Sequence, residues 1–269
     1  MTNFSKASAF ALISLGVLFG CQQEEVPSLK PVVSDEILAQ IGAMGFGTQG
    51  VQKVNEGYLV EGDIILTDEN LRNGFAGKAL RIAEVEQYST TTVVSVSGSR
   101  VIKVGLDKRM PSAYGAALDE VVNRYNAENL SITFQRVTSG AADVTFVTAS
   151  GSYLASAGFP TSTGDPFNQV KVNTRAIGTG TSSTWINYAA TIMAHELGHC
   201  IGFRHTDYMD RSFSCGGSTS NEGASTVGAV LIPGTPSTAD AGSWMLACIG
   251  SNQNRPFNNN DKTALNYLY

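Results

Sequence analysis

The chain has 269 residues, 42% of them hydrophobic and 15% charged, which is enough apolar material for a sizeable core in one domain with a smaller appendage. Its 18 basic and 23 acidic residues give a formal net charge of -5, too little positive charge for nucleic acid or an anionic membrane surface to be the main partner. At the start, Lys6 precedes an apolar run from Ala7 to Phe19 that closes on Gly20 and Cys21. A charged start, a short apolar core and a small residue at the cut describe a secretory signal over residues 1–20, and the run is too short to span a bilayer. Residues 21–94 read as a tether and leader. Ser34 predicts the cap of a short helix through Ile41 and Met44, and Tyr58-Leu59-Val60 and Ile64-Ile65-Leu66 predict two strands around a Glu61-Gly62-Asp63 turn. The Ser/Thr/Val-rich stretch from Ser89 to Ser99 suits an exposed, cleavable connector, and the boundary falls between about residues 75 and 98.

Residues 95–269 carry a different pattern. Val101–Val104 predicts a strand, and Pro111-Ser112 opens a helix with Leu118, Val121, Val122 and Tyr125 on one face. Strands are predicted over 131–137, 142–148 and 170–175, with an edge strand near 153–157. A Ser182-Ser183 cap starts a second helix over 184–200 that stops near Gly202, the chain from 206 to 243 is irregular, and Asn260 or Asp261 caps a last helix through Leu268.

The chemistry lies in His195-Glu196-Leu197-Gly198-His199, followed by Gly202 and His205. Residues four apart on a helix share a face, so His195 and His199 can aim both imidazoles at one tetrahedral ion. Gly202 can take positive φ, end the helix and return the chain so that His205 becomes the third ligand. Three protein ligands leave a fourth position for water, and Glu196, about 100° round the helix from His195, is placed to act as general base. The chain has only 3 histidines and all of them lie in this segment, so an ordinary structural role for them is a poor explanation.

These residues form HExxHxxGxxH, and the chain thereby resembles the metzincin zinc endopeptidases, nearest the bacterial dual-action HEIGH metallopeptidases, with Leu197 where that name has Ile. The resemblance covers about residues 95–269. It implies an α/β (α+β) zincin fold with a twisted mixed sheet, an active-site helix and an irregular C-terminal lobe. It further implies one catalytic Zn2+, a peptide or protein substrate paired along the edge strand, and a methionine turn at Ser243-Trp244-Met245 with Met245 beneath the metal. Thr206 after the third histidine differs from astacins, matrixins and adamalysins, and Ala247 stands where astacins carry a switching tyrosine. Val60-Glu61-Gly62-Asp63-Ile64 resembles the segment by which astacin precursors place an aspartate on zinc, which makes Asp63 a candidate blocking ligand; a plain polar turn is the other reading. Leu18-Phe19-Gly20-Cys21 resembles a bacterial lipoprotein signal, which implies lipid on Cys21, an extracytoplasmic location and membrane contact only through that anchor; a monomer is expected.

Cys200, Cys215 and Cys248 remain in the mature chain, and an oxidising compartment favours one disulfide, Cys215 with either Cys200 or Cys248. Two other functions are compatible with the motif. One is a surface binding module that zinc merely stabilises, and the other is a zinc hydrolase acting on non-peptide amides or esters.

Overall fold

The computed structural model describes residues 32–73, 87–219, 221, 229–236 and 239–269. The expected signal sequence over residues 1–20 and the expected lipidation at Cys21 fall outside them.

The region expected to be a leader begins, among the described residues, with helix α1 (Asp35–Ala43), whose Ser34 side chain accepts a hydrogen bond from the Ile37 amide. Strands β1 (Gln52–Val54), β2 (Gly57–Val60) and β3 (Ile64–Thr67) follow as an antiparallel meander, and α2 (Asp68–Asn73) closes it. The expected hairpin is therefore present, with its turn at Glu61-Gly62-Asp63. Beyond residue 86 come β4 (Tyr88–Ser89), β5 (Arg100–Leu106), α3 (Tyr114–Asn126), β6 (Ile132–Val137), β7 (Val144–Thr148), β8 (Ala155–Gly158) and β9 (Gln169–Val172). Then come α4 (Thr174–Ile177), α5 (Ser183–Ile201), α6 (Ser212–Cys215), β10 (Val230–Leu231) and α7 (Asn259–Leu268).

Eight strands form one mixed sheet in the order β1-β2-β3-β8-β9-β7-β5-β6. β6, β5, β7 and β9 run parallel, β8 is antiparallel to β9, and β3 is parallel to β8. Helices α3 and α5 pack against each other, α3 over β6 and α5 over β8 and β9. The main core lies between these helices and the sheet and includes Ile102, Val104, Leu118, Val121, Phe146, Val170 and Leu197. A second apolar cluster, with Ile41, Phe46, Val60, Ile64, Leu66 and Phe159, joins the leader to the residue following β8. This is a mixed α/β architecture of the kind the metallopeptidase resemblance implied.

Three expectations change. β8 was read as an edge strand, but β3 lies on its free side, because Ile64 and Ile65 pair with Ala157 and Gly158. Part of the stretch expected to be an exposed connector is interior: Ser89, Thr90 and Val94 are buried, as is Tyr88 just before it. The Arg204 amide donates to Tyr88 O and the Thr90 amide to Gly202 O, so this stretch is tied to the chain around the metal motif. Finally, α7 is capped by Asn258, with Asp261 completing a capping box three residues on.

Candidate metal centre

Helix α5 carries the first part of the site. Ser182 caps it by accepting from the Trp185 amide, and Gly202 ends it in the left-handed conformation at φ 112°. Every residue from Tyr188 to Ile201 is buried. A helix buried on all sides is fixed by packing around its whole girth, so its ligand side chains are held in place. After Gly202 the chain reverses and presents His205.

The three imidazoles converge. His195 Nε2 and His199 Nε2 are 3.1 Å apart, and the ring of His205 has its centroid 5.3 Å from that of His195 and 4.9 Å from that of His199. Asp63 completes the group: its Oδ2 is 3.1 Å from His205 Nε2 and 3.7 Å from His195 Nε2. One ligand atom from each of the four residues lies within 4.8 Å of every other.

The donor chemistry fits a divalent ion. His195 Nδ1 is 2.9 Å from Trp244 O, and His199 Nδ1 is 2.8 Å from Phe203 O. A carbonyl can only accept, so both Nδ1 atoms carry the proton and both Nε2 atoms are bare lone pairs. Two such lone pairs facing each other at 3.1 Å repel unless a cation stands between them. Tetrahedral zinc with Zn–N of about 2.0–2.1 Å would set the pair about 3.3 Å apart. Burial, then the neighbouring His195 and His205, drives the His199 imidazole well below its ordinary value, so it stays neutral and ready to ligate.

The two carboxyls of the site are pushed in opposite directions. Burial works to raise Asp63, but the charge of His205 and hydrogen bonding to His195 and His205 hold it well below the usual carboxylate range. Burial, then the charge of Asp63, pushes Glu196 well up. Glu196 is 3% exposed and its Oε2 has no hydrogen-bond partner among the described residues. It lines a cavity of about 300 Å³ together with His195 and Asp63.

Met245 lies under α5. A Cβ added at Gly198 would come within 2.6 Å of Met245 Sδ and 3.2 Å of Trp244 Nε1, which explains why glycine sits between the two ligand histidines. The turn is bound to the segment that follows the third ligand, for the Thr206 amide donates to Met245 O at 2.9 Å and the Ala247 amide to Asp207 Oδ1 at 2.9 Å. The structure thus brings His195, Glu196, His199, His205, Asp63 and Met245 to one place.

The sequence profile of the dual-action HEIGH metallopeptidases matches residues 58–269. The chain belongs to that family. It is therefore a zinc metallopeptidase, one that acts on peptide substrates and whose three histidines and aspartate suit a single zinc ion. Two solved structures of myroilysin resemble it at 16% sequence identity. One has a TM-score of 0.40 and covers 64% of this chain and 81% of its own; the other has 0.39 and covers 73% and 93%. None of the curated proteins matches the chain in sequence.

Sequence reasoning missed the group that holds the leader turn on this metallopeptidase site. Arg204, fully buried, donates through Nη2 to both carboxylate oxygens of Glu61 at 2.7 and 2.8 Å, and its guanidinium lies over the ring of Phe46 at 4.4 Å. Arg211 donates through Nη1 to Glu61 O. The one signal available was an arginine beside a ligand histidine in an otherwise apolar run, which calls for a buried carboxylate somewhere. The disulfide is Cys215–Cys248, and Cys200 is free and buried.

Proposed function

We propose that the chain is the precursor of an extracytoplasmic, lipid-anchored zinc endopeptidase of metzincin type from a bacterium. In it Glu196 is the catalytic base and Asp63, beside the three histidines, would serve as a further ligand to the metal until the leader is cut away. The observation that carries this reading is the buried group in which three imidazoles and one leader carboxylate share ligand distance, with Glu196 beside them.

Zinc held by His195, His199 and His205 would polarise the scissile carbonyl and acidify a bound water. Glu196, on the cavity wall beside His195, would accept the proton of the attacking water and return it to the departing amine. Trp244 O and Phe203 O keep the imidazoles of His195 and His199 in the tautomer that ligates. Met245 forms the apolar floor. The leader would act twice: Asp63 would hold the metal in place of a water, and β3 takes the backbone groups of β8 with which an extended peptide would pair. Since residues 87–94 are woven into the catalytic fold, the activating cut belongs in 74–86, outside the described residues.

The test is degradation of an unstructured protein by the chain after limited proteolysis. The nicked wild type degrades it and loses activity with a chelator. Glu196→Gln does not degrade it although it retains stoichiometric zinc, and uncut Asp63→Ala exceeds the uncut parent in basal activity. Zinc-loaded, nicked protein that leaves peptides intact favours the binding module or a non-peptide hydrolase.

A further inference from the structure

The cavity beside the metal residues has walls of two origins. Helix α5 brings His195 and Glu196 to it, and the leader brings Gln52, Leu59, Gly62 and Asp63. The leader thus lays part of its own main chain in the cleft, and a group that holds this main chain faces the path of a peptide once the leader has gone. Arg211, outside the leader and half-buried on the cavity wall, is such a group: its Nη1 donates to Glu61 O. Its guanidinium lies against the backbone of Gly62, where an added Cβ would stand 3.4 Å from Nη2 and 3.6 Å from Nη1. The next residue is Asp63, whose Oδ2 is 3.1 Å from His205 Nε2.

The arginine is fixed by contacts that do not involve the leader. It immediately precedes α6, and its carbonyl accepts from the Cys215 amide at 2.9 Å. Cys215 is joined to Cys248 by the disulfide, the Cys248 amide donates to Ser214 Oγ at 3.0 Å, and Arg211 Nη2 rests 3.8 Å from Cys215 Sγ. The short helix is therefore stapled to the chain just beyond the methionine turn, and departure of the leader takes away Glu61 O while leaving the arginine in place. The other guanidinium on the cavity wall, Arg255, is turned to Cys248 O at 3.2 Å.

We propose that Arg211 is a substrate-binding residue of the cleft: in the processed enzyme its guanidinium takes a main-chain carbonyl of the peptide two residues from the scissile bond. Glu61 O, two residues from Asp63, holds that place in the precursor. The inference rests on the peptidase reading and on removal of the leader. A charged donor to a carbonyl makes a stronger hydrogen bond than a neutral one. Every residue of a peptide offers such a carbonyl, so the contact fixes the register of the chain against the metal without selecting a side chain.

The test uses the full chain nicked by limited proteolysis, with zinc content measured on every variant. Arg211→Ala is expected to raise KM about 10–100-fold, the span of a hydrogen bond to a charged group, and to leave kcat roughly unchanged, because the contact is the same before and during the reaction. Arg211→Lys keeps part of the affinity. Peptides with one amide replaced by an (E)-alkene, on either side of the scissile bond, identify the acceptor. Loss of the carbonyl two residues away should weaken binding about 10–100-fold to wild type and far less to Arg211→Ala, a coupling that a merely structural role does not produce. Each ratio compares two peptides on one protein, so altered leader release cancels. Calorimetry on the zinc-loaded, nicked Glu196→Gln chain, with and without Arg211→Ala, reads the same coupling without turnover. Equal losses on both proteins overturn the proposal, and so does an effect confined to kcat, which would put Arg211 on the scissile carbonyl. If no peptide is cut, the peptidase reading fails on its own, and the calorimetric coupling still decides the role of Arg211.

Discussion

Replacing Glu61 by Gln should loosen the leader without unfolding the protein. Arg204 is 0% exposed and Glu61 5% exposed, so solvent screens their ion pair little. Removing one partner of such a pair costs about 3–5 kcal/mol, and Gln retains a neutral acceptor, which puts the cost near the lower figure, about 3 kcal/mol. The strain can be relieved if the turn around Glu61 lifts and water reaches Arg204, so the cost falls on leader docking. At 1.4 kcal/mol per tenfold the docked population drops on the order of 100-fold relative to the open one. Hydrogen exchange measures this directly. The amides of β3 should lose about two decades of protection while those of α3 and the middle of α5 keep theirs. Unchanged β3 protection would refute the reasoning, and an equal loss in α3 and α5 would show that the pair supports the whole fold.

Gly198→Ala should damage the metal site through Met245 and Trp244: the added methyl meets Met245 Sδ at 2.6 Å, overpacking of this kind costs about 1–3 kcal/mol, and shifting Trp244 disturbs the carbonyl that orients His195. Zinc affinity, read by competition with a chromogenic chelator, should fall about 10–100-fold, and an unaltered value would sink the packing account. Asp261→Ala removes acceptors of the Gln87 side chain and of the Trp244 and Asn258 amides, together with the α7 capping box, so Tm should fall by on the order of 10 °C as two buried hydrogen bonds and one partly buried one go. A fall of a degree or less would mean water replaces the carboxylate without cost. Burial pushes the Cys200 thiol well above its ordinary value, so at pH 8 it stays protonated as well as shielded. In a Cys21→Ser chain, thiol titration without reductant should find no fast-reacting thiol in the native protein and one after denaturation; rapid native alkylation would contradict it.

The local parts of this protein were legible in its sequence. The spacing of His195 and His199 on one helix, the Ser182 cap, the Gly202 stop and the return of His205 all follow from backbone geometry over a few residues, and three histidines in the whole chain left no competing ligand set. The leader hairpin was equally readable, because its two apolar strands flank a polar turn. The Asp63 turn could be suspected only by resemblance, and its distance of 3.1 Å from His205, a residue 142 positions away, is a fact of tertiary structure.

What only the tertiary structure decided concerns pairs distant along the chain. The Glu61–Arg204 pair spans 143 residues, β3 adds itself to β8 where an edge was expected, residues 87–90 are built in around Gly202 and Phe203, and Cys215 chose Cys248 over Cys200. Periodicity and caps specify a chain's neighbours along one helix or strand. Which buried charge meets which, and which strand covers which edge, depends on how all the elements share one core, and no local pattern carries that information.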